Sequence, residues 1–294
     1  MTSSTKNPRS KPVKSRDFAS IDGRILSPDR PAISIEDWGF RFGWGLFETI
    51  RIHRGHALFL QQHLDRMRAG GERLQIDMGD TNWWRRHLKR LIVRSGAGEG
   101  AANLITTRGF APDFKPRRVI IVRPQTNPLV QAGNVWVAPW RIDPINPMIG
   151  CKTLAYFPNV FASEMAAAEG CDDAIVVNSR GRIADGAQAT VFAIENGTLR
   201  TPSLRDGALA GVVRQVILDA AHERGIPVRT GGLTLRSLET ADGVFLTSSV
   251  RGLRLARRLG SKRLRLTARA LRVFETLKAD YRRAVERDLR SMLP

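Results

Sequence analysis

Segments with the period of a β-strand and segments with the period of a helix follow one another along the whole chain. Residues 46–53 alternate between apolar and polar side chains, which is typical of a half-buried strand, and residues 61–74 then follow the helical repeat. In the second half, the dipeptide Asn196-Gly197 is a strong hairpin signal, and a helix is predicted over 212–225. Because both element types occur in both halves, the sequence predicts an α/β or α+β fold.

The length of 294 residues favours two domains over one. Residues 1–17 are rich in Ser, Lys and Pro and have no apolar repeat, so we expect a disordered basic tail there. We expect a small α+β domain over 18–130 and a larger α/β domain, which ends in a basic helix, over 131–294. The predicted linker between the two domains lies at 124–132.

Positive charge is concentrated at the two ends of the chain. The net charge is +19; residues 1–16 carry five Lys or Arg and no acid, and residues 251–294 carry fourteen against four acids. Such segments can attract nucleic acid or an anionic surface. No zinc-finger spacing and no RRM-like aromatic pattern accompanies the charge. The sequence therefore favours a solvated basic surface and argues against a nucleic-acid partner.

The cysteines and the hydropathy pattern indicate the class and compartment of the protein. Cys151 and Cys171 have neither the spacing of a zinc site nor that of a redox pair, so we predict no metal site and a reducing, cytoplasmic compartment. No stretch of about 18 uncharged apolar residues occurs, and we expect no membrane span.

Lys152 stands in an apolar segment that we predict to be a strand. It is the only lysine between Lys115 and Lys262. Burying a lysine is costly unless a partner or a chemical role compensates for the lost hydration. Taken alone, however, Lys152 is more typical of a strand-end lysine that reaches solvent. Whether it has a chemical role must therefore be judged together with the neighbouring sequence motifs.

Eight short motifs, one of which contains Lys152, resemble those of one enzyme family, in the same order and at similar spacing. They lie at 42–51 (Phe-Gly-Trp-Gly-Leu-Phe-Glu-Thr-Ile-Arg), 63–66 (His-Leu-Asp-Arg), 150–156 (Gly-Cys-Lys-Thr-Leu-Ala-Tyr), 170–174, 181–192, 201–202 (Thr-Pro), 209–214 (Leu-Ala-Gly-Val-Val-Arg) and 245–249 (Phe-Leu-Thr-Ser-Ser). The chain is similar to the class IV aminotransferases. The resemblance implies their two-domain fold and their cofactor, pyridoxal 5'-phosphate (PLP).

The resemblance implies a catalytic role for Lys152, which would carry PLP as a Schiff base and act as acid and base. Asp185 would face the pyridine nitrogen of PLP, where family members carry Glu. Three further departures are Thr190 and Ala155, each in place of a usual Asn, and 254–256, in place of a Pro-containing turn. Each departure could weaken the positioning of PLP, so a catalytically weak member stays an open alternative.

The resemblance also implies which residues bind the phosphate. Arg66 would contact it through a charge-assisted hydrogen bond. Val212 and Val213 would donate backbone N–H groups at a helix start, and Gly211 suits the close approach of the backbone. Ser249 would add a hydroxyl group. For the substrate, Phe47 would line the pocket, and Arg108 would bind a carboxylate.

Three activities share this family. The D-amino-acid transaminases pair an Arg with a His in a stretch that here reads Pro-Asp-Phe-Lys-Pro (112–116), so we disfavour that activity. The segments 45–49 and 247–252 are more similar to aminodeoxychorismate lyases, which expel pyruvate and form 4-aminobenzoate. Arg108 and Arg251 would suit a dianionic substrate of that kind.

Two alternatives stay open beside the lyase, and the resemblance also implies an assembly. One alternative is a branched-chain amino acid aminotransferase. The other is a weakly active member that binds nucleic acid or serves as a scaffold, supported by the basic segment 251–294.

The resemblance implies a homodimer, in which the partner chain helps to close each site.

Overall fold

The computed structural model describes residues 18–26, 32–124 and 133–291. The predicted basic tail lies outside the described residues. So does nearly all of the predicted linker, and with it the expected domain boundary, which stays a prediction. None of the helices in the described ranges is long and apolar enough to span a bilayer.

The first half of the chain forms an antiparallel sheet with helices beside it. Its strands are β1 (Phe18–Ile21), β2 (Arg24–Leu26), β3 (Gly45–His53), β4 (His56–Ala57), β5 (Glu99–Thr107) and β6 (Arg118–Pro124). They lie in the order β2-β1-β6-β5-β3-β4, and every neighbouring pair is antiparallel. The helices are α1 (Trp38–Phe42), α2 (Leu60–Leu74) and α3 (Thr81–Ser95). Trp84, Leu104 and Ile120 are central to the core of this half.

Helix α2 continues through Gly70-Gly71, a pair expected to weaken its second half. Both glycines are buried against β3. A Cβ atom on Gly70 would lie 3.1 Å from a methyl carbon of Leu46. Since glycine lets the helix approach the strand this closely, tertiary packing offsets its low helix propensity. The close approach packs α2 directly on β3.

The second half of the chain forms a larger, mixed sheet. Its strands are β7 (Gly133–Ile142), β8 (Asp173–Asn178), β9 (Ile183–Gly186), β10 (Thr190–Glu195), β11 (Thr198–Thr201), β12 (Val228–Thr230), β13 (Gly243–Ser248), β14 (Gly252–Leu259) and β15 (Lys262–Arg263). The order is β12-β11-β10-β13-β14-β7-β8-β9, and β15 pairs with β14. The helices are α4 (Phe157–Ala168), α5 (Val212–Glu223), α6 (Leu235–Thr240) and α7 (Ala268–Arg290).

Helices α5 and α7 pack on one face of this second sheet. Phe192 and Phe245 stack there with ring centroids 5.0 Å apart, and Phe274 of α7 meets Phe245 edge to face. Val191 and Leu246, which alternate with the two phenylalanines along β10 and β13, belong to a separate core on the opposite face. Helices and strands are mixed in both halves, which confirms the predicted α/β class.

Two local predictions have opposite outcomes. The hairpin at Asn196-Gly197 is confirmed: both residues have positive φ, 51° and 82°, as a tight two-residue hairpin turn requires, and β10 pairs with β11 around them. The strand predicted at Lys152 is wrong. This segment touches β3 through a single bridge between Leu46 and Thr153, because turns precede and follow it.

Candidate active site

A cavity of about 700 Å³ lies where β3 and α2 of the first half meet the strand ends of the second. Its walls come from β3, the Lys152 segment, β9, the start of α5 and the turn between β13 and β14. The cavity brings together eight of the nine predicted site residues: Phe47, Arg66, Lys152, Asp185, Gly211, Val212, Val213 and Ser249. Residues that are up to 202 positions apart in the sequence thus share one space.

Arg108 is the predicted site residue that the structure does not bring into the cavity. Its guanidinium donates to the carbonyl of Gln75. It also lies over two aromatic rings, 5.6 Å from the centroid of Trp44 and 4.7 Å from that of Phe114. These contacts hold the half-buried side chain outside the cavity of its own chain.

Lys152 is held against β3 with its amine between two aromatic rings. Its carbonyl accepts from the backbone N–H of Phe47 at 2.9 Å. Its Nζ lies 4.3 Å from the ring centroid of Phe47 and 4.7 Å from that of Tyr156. Burial lowers the pKa of Lys152 to about 8; Glu48 opposes this shift and Arg66 adds to it. A neutral, nucleophilic amine is therefore accessible near neutral pH.

Arg66 reaches the cavity from α2, and Glu48 fixes it there. Arg66 Nε donates to Glu48 Oε1 at 2.7 Å and Nη2 to Oε2 at 2.5 Å, a two-point contact that sets the plane of the guanidinium. Nη1 donates to the carbonyl of Ala210 at 3.0 Å, just before α5. The guanidinium therefore joins β3 to the segment that leads into α5.

His63 completes this buried group. It stands one helical turn before Arg66, and its Nδ1 lies 2.7 Å from Glu48 Oε2. Burial alone would raise the pKa of Glu48, but Arg66 and His63 outweigh it and hold the pKa at about 2. Burial also lowers the pKa of His63. Glu48 is thus held in its ionised form between Arg66 and His63.

The N-terminus of α5 opens into the cavity without a side-chain cap. Gly211 is the N-cap residue and has no side chain to accept from the first turn. The N–H groups of Val212 and Val213 lack partners within the helix and can bind an anion. A Cβ atom on Gly211 would lie 3.1 Å from Thr190 Oγ1, so a larger residue would crowd this end of the cavity.

Asp185 stands on β9 at another wall of the cavity. Its Oδ2 accepts from the N–H of Leu209 at 3.0 Å, and its Oδ1 from the N–H of Gly186 at 3.1 Å. Burial raises the pKa of Asp185 to about 7, against the effect of these two N–H groups, of Arg214 and of Thr190. The carboxyl group therefore favours a neighbour that carries positive charge or shares a proton.

A second set of contacts connects β14 to the wall around Tyr156. Arg254 Nη2 donates to Asp173 Oδ2 at 3.2 Å, and this pair is buried. Asp173 Oδ1 accepts from the N–H of Gln188 at 3.3 Å. The neighbouring carbonyl of Ala187 accepts from the Tyr156 hydroxyl at 2.9 Å. Strand β14 and Tyr156 are thus connected through one chain of polar contacts.

Several residues of this site were not singled out from the sequence. Glu48 lies on the buried face of β3 with Leu46 and Ile50, and an acid in such an apolar alternation is a detectable signal. The spacing of His63 and Arg66 on one helix face is a second one. The buried pair of Arg254 and Asp173 has no local signal, because its members are 81 residues apart.

A family model, described as amino-transferase class IV, matches residues 45–259 of the chain. The chain belongs to the class IV aminotransferases. The match contains all nine predicted site residues. The enzymes of this family depend on PLP, and the present class IV aminotransferase is a PLP-dependent enzyme.

Relatives of this class IV aminotransferase carry several activities. A protein from Methanocaldococcus jannaschii, provisionally named a branched-chain-amino-acid aminotransferase, is 29% identical over 241 residues, which cover 78% of this chain and 83% of that one. A bifunctional aminodeoxychorismate lyase and D-amino acid transaminase from Mycobacterium tuberculosis is 28% identical over 251 residues, with 79% and 87% covered. The PLP-bound structure of a hypothetical aminotransferase from M. tuberculosis has a TM-score of 0.81 at 25% identity, with 92% and 99% covered.

The cavity of this class IV aminotransferase fits PLP. The uncapped start of α5 offers N–H groups to a phosphate, and the space beside Gly211 is one that a Cβ atom would fill. The amine of Lys152 has a pKa of about 8 and lines the same cavity. Asp185 supplies a carboxyl group that favours a cationic or proton-sharing neighbour. These are the three donor types that PLP requires.

Proposed function

We propose that this class IV aminotransferase is an aminodeoxychorismate lyase-like enzyme, which eliminates pyruvate and forms 4-aminobenzoate. The observation that carries the proposal is that Arg141 and Arg251 line the cavity that contains Lys152. In the described part of the chain, neither guanidinium pairs with a carboxylate: Arg251 donates to the carbonyl of Asp172, and Arg141 to carbonyls of its own strand. Two such arginines suit a substrate with two carboxylates.

In this proposal Lys152 holds the cofactor and moves the proton. PLP, when bound, supplies an electron sink for the negative charge that develops beside the substrate nitrogen. Elimination removes a ring proton and breaks the C–O bond to the departing pyruvate unit. Lys152 is the only lysine among the described residues that line the cavity. Its pKa of about 8 allows it both to accept this proton and to return it.

We assign the phosphate of PLP to the residues at the start of α5 and those that face it. The N–H groups of Val212 and Val213, behind Gly211, would donate to the phosphate, since the first turn of α5 has no cap. Arg66 would add a charged contact, and its guanidinium is already held in place by Glu48. The hydroxyl of Ser249, which lines the same cavity, would add a further donor.

We assign the pyridine nitrogen of PLP to Asp185. Its raised pKa of about 7 supports this assignment, because a buried carboxyl group gains most from sharing a proton with a basic nitrogen. The family's usual Glu is one methylene longer. In this chain two backbone N–H groups, from Gly186 and Leu209, fix the shorter side chain on the cavity wall.

The enzyme would act as a homodimer. Support comes from large apolar side chains exposed around α4, next to the cavity: Phe157 is 73% exposed, Val160 47% and Phe161 42%. Arg108 lies outside the cavity of its own chain, so it would meet substrate only across such an interface. Light scattering after size exclusion tests this proposal. Phe157→Glu should reduce the dimer fraction, and a monomeric wild-type enzyme would contradict the assembly.

A substrate panel on the PLP-loaded enzyme tests the activity. Aminodeoxychorismate would be followed by pyruvate release, and branched-chain amino acids and D-alanine would be supplied with 2-oxoglutarate. We expect pyruvate release from aminodeoxychorismate to dominate and to vanish in Lys152→Ala. Turnover of none of the substrates by a yellow, PLP-loaded protein would contradict the catalytic proposal. Salt-sensitive retention on DNA by such a protein would instead support a binding role.

Transamination of a branched-chain amino acid is the second candidate. It is favoured by the apolar part of the cavity wall, to which Phe47, Met148, Ile149 and Val160 contribute. It is also the activity in the provisional name of the M. jannaschii relative. The panel separates the two candidates, because a branched-chain substrate carries one carboxylate and needs one arginine. Arg251→Ala should then impair the lyase reaction more than the first half-reaction, in which the branched-chain amino acid gives up its amino group, since only the second half-reaction uses 2-oxoglutarate with its two carboxylates.

A further inference from the structure

One buried hydroxyl group on the cavity wall has no hydrogen-bond partner. It is Oγ1 of Thr247, on β13, which is shielded from solvent and meets no donor or acceptor within the described chain. Only 2% of Thr247 is exposed, and the residue lines the cavity together with Ser249. Leaving a buried hydroxyl unpaired is costly, and such groups in native proteins usually find a ligand or a water molecule.

The pairing of strands β10 and β13 shows which way Thr247 faces. Thr247 lies directly opposite Thr190, and Phe245 lies opposite Phe192 two residues earlier on the same strands. Because side chains alternate along a strand, all four share one face of the sheet. The phenylalanines of that face pack in the core that contains Val212 and Val213. Thr247 therefore faces the side of the sheet on which α5 begins.

Thr190, the cross-strand partner of Thr247, locates the pair relative to α5. Its Oγ1 lies 3.1 Å from the position of a Cβ atom on Gly211, the N-cap residue of α5. The same hydroxyl helps to lower the pKa of Asp185. Thr190 therefore already has a role in this structure. Thr247, which stands beside it, has none.

A hydroxyl group at position 247 is not needed for packing. Valine has nearly the same shape and would avoid the unpaired polar atom, so an unliganded protein would gain from the exchange. The chain offers an internal comparison: Thr106, on β5, is also fully buried with an unpaired Oγ1, and it lies outside the cavity. The two threonines have the same defect, and only Thr247 adjoins the space that PLP would fill.

We propose that Thr247 is an additional cofactor-binding residue, whose hydroxyl group donates a hydrogen bond to the phosphate of PLP. The inference uses the dependence of the family on PLP, and it does not rest on the lyase activity proposed above. It adds a side-chain donor from the strand beneath α5 to the backbone donors of the helix itself. The acceptor is charged, which makes this hydrogen bond stronger than one between neutral groups.

The test compares Thr247→Val, Thr247→Ser and Thr106→Val, with PLP and pyridoxal as ligands of the apoenzyme. We expect Thr247→Val to raise the melting temperature of the apoenzyme and to weaken PLP binding by about tenfold. Pyridoxal has no phosphate, and its affinity should not change. Thr247→Ser keeps the hydroxyl and should restore PLP affinity. Thr106→Val should raise the melting temperature and leave the affinity for PLP unchanged.

Two outcomes would overturn the proposal. If Thr247→Val bound PLP as tightly as the wild type, the hydroxyl would have no part in cofactor binding. If it weakened pyridoxal as much as PLP, the contact would lie on the ring instead of the phosphate. Both outcomes are read from binding and melting curves. A failure of the lyase proposal appears separately, as absent pyruvate release by the wild-type enzyme.

Discussion

Glu48 and Arg66 meet through two parallel hydrogen bonds, at 2.7 Å and 2.5 Å, beneath the cavity floor. Only 1% of the Glu48 side chain and 12% of the Arg66 side chain are exposed. A buried pair of this kind contributes little net stability, but losing one partner leaves the other charge without compensation. The pair therefore fixes the direction in which Arg66 presents its remaining N–H groups.

Glu48→Gln should destabilise the protein and weaken its hold on PLP. The change removes the charge, keeps the shape and leaves Arg66 without its ion-pair partner, so the free energy of unfolding should fall by about 3 kcal/mol. Urea unfolding of the apoenzyme measures this loss, and a PLP titration measures the affinity. Glu36→Gln is the matched control, because Glu36 forms an exposed pair with Arg41 and should cost less than about 1 kcal/mol. Equal losses in both variants would contradict the role of Glu48.

The same carboxylate should contribute to stability in a defined pH window. Its pKa is lowered from 4.5 to about 2, so the folded state holds its charge more firmly than the unfolded chain. The contribution of Glu48 is complete above pH 4.5 and is lost as the pH falls towards about 2. The difference in unfolding free energy between wild type and Glu48→Gln should shrink across this window. A constant difference would show that Glu48 does not titrate there.

Uptake of PLP by the apoenzyme should rise with pH, reach half of its maximal rate at about pH 8 and level off about one to two pH units higher. Only the neutral amine of Lys152 can attack an aldehyde, and burial lowers its pKa from 10.5 to about 8. The rate of colour formation after mixing measures the profile, and Lys152→Ala should stay colourless. A rate that is still rising well above pH 10 would indicate an ordinary, exposed lysine.

Asp185→Asn should affect the pH dependence of stability and the rate of turnover in different ways. The pKa of Asp185 is raised from 3.8 to about 7, so the folded apoenzyme favours the protonated form and loses stability as the pH rises through about 7. Asparagine does not titrate, although its NH2 group cannot accept from one of the two backbone N–H groups. As the pH rises through about 7, the melting temperature of the variant should therefore fall less than that of the wild type. Its turnover should fall by at least about tenfold, since an amide cannot hold the proton of the pyridine nitrogen.

Asp185→Glu is the matched control for that variant, because it keeps the acid and restores the length usual in the family. We expect it to retain turnover at every pH at which the wild type is active. Loss of turnover in Asp185→Glu comparable to that in Asp185→Asn would show that space, and not the proton, decides the role of this position.

The parts of the fold and site that could be predicted are those with a local signature. The alternation at 46–53 and the turn Asn196-Gly197 each define an element by themselves, and β3 and the hairpin were found where expected. Eight of the residues predicted from the short motifs line one cavity. Arg108 was assigned to the substrate from the resemblance, and a sequence motif does not encode where a long side chain ends.

Strand β14 was not predicted because its arginine-rich composition is not typical of a strand inside a sheet. Four arginines at 251–258 are typical of a solvated basic segment, and the sequence was interpreted in that way. In the structure, β14 lies between β13 and β7 in the second sheet. Arg254 can be buried there because Asp173, from a distant strand, balances its charge. A compensation of this kind depends on tertiary contacts and leaves no trace in a local pattern.

The hydrogen bond from Arg66 to the carbonyl of Ala210 has a mechanical consequence. Arg66 belongs to a helix packed on the first sheet, and Ala210 precedes the helix whose start faces the cofactor space. A hinge opening between the two halves would stretch this bond and pull the guanidinium away from α5 in the same motion. Dissociation of PLP and separation of the two halves would then occur together. Bound PLP would therefore stabilise the closed arrangement of the halves and slow both unfolding and proteolysis.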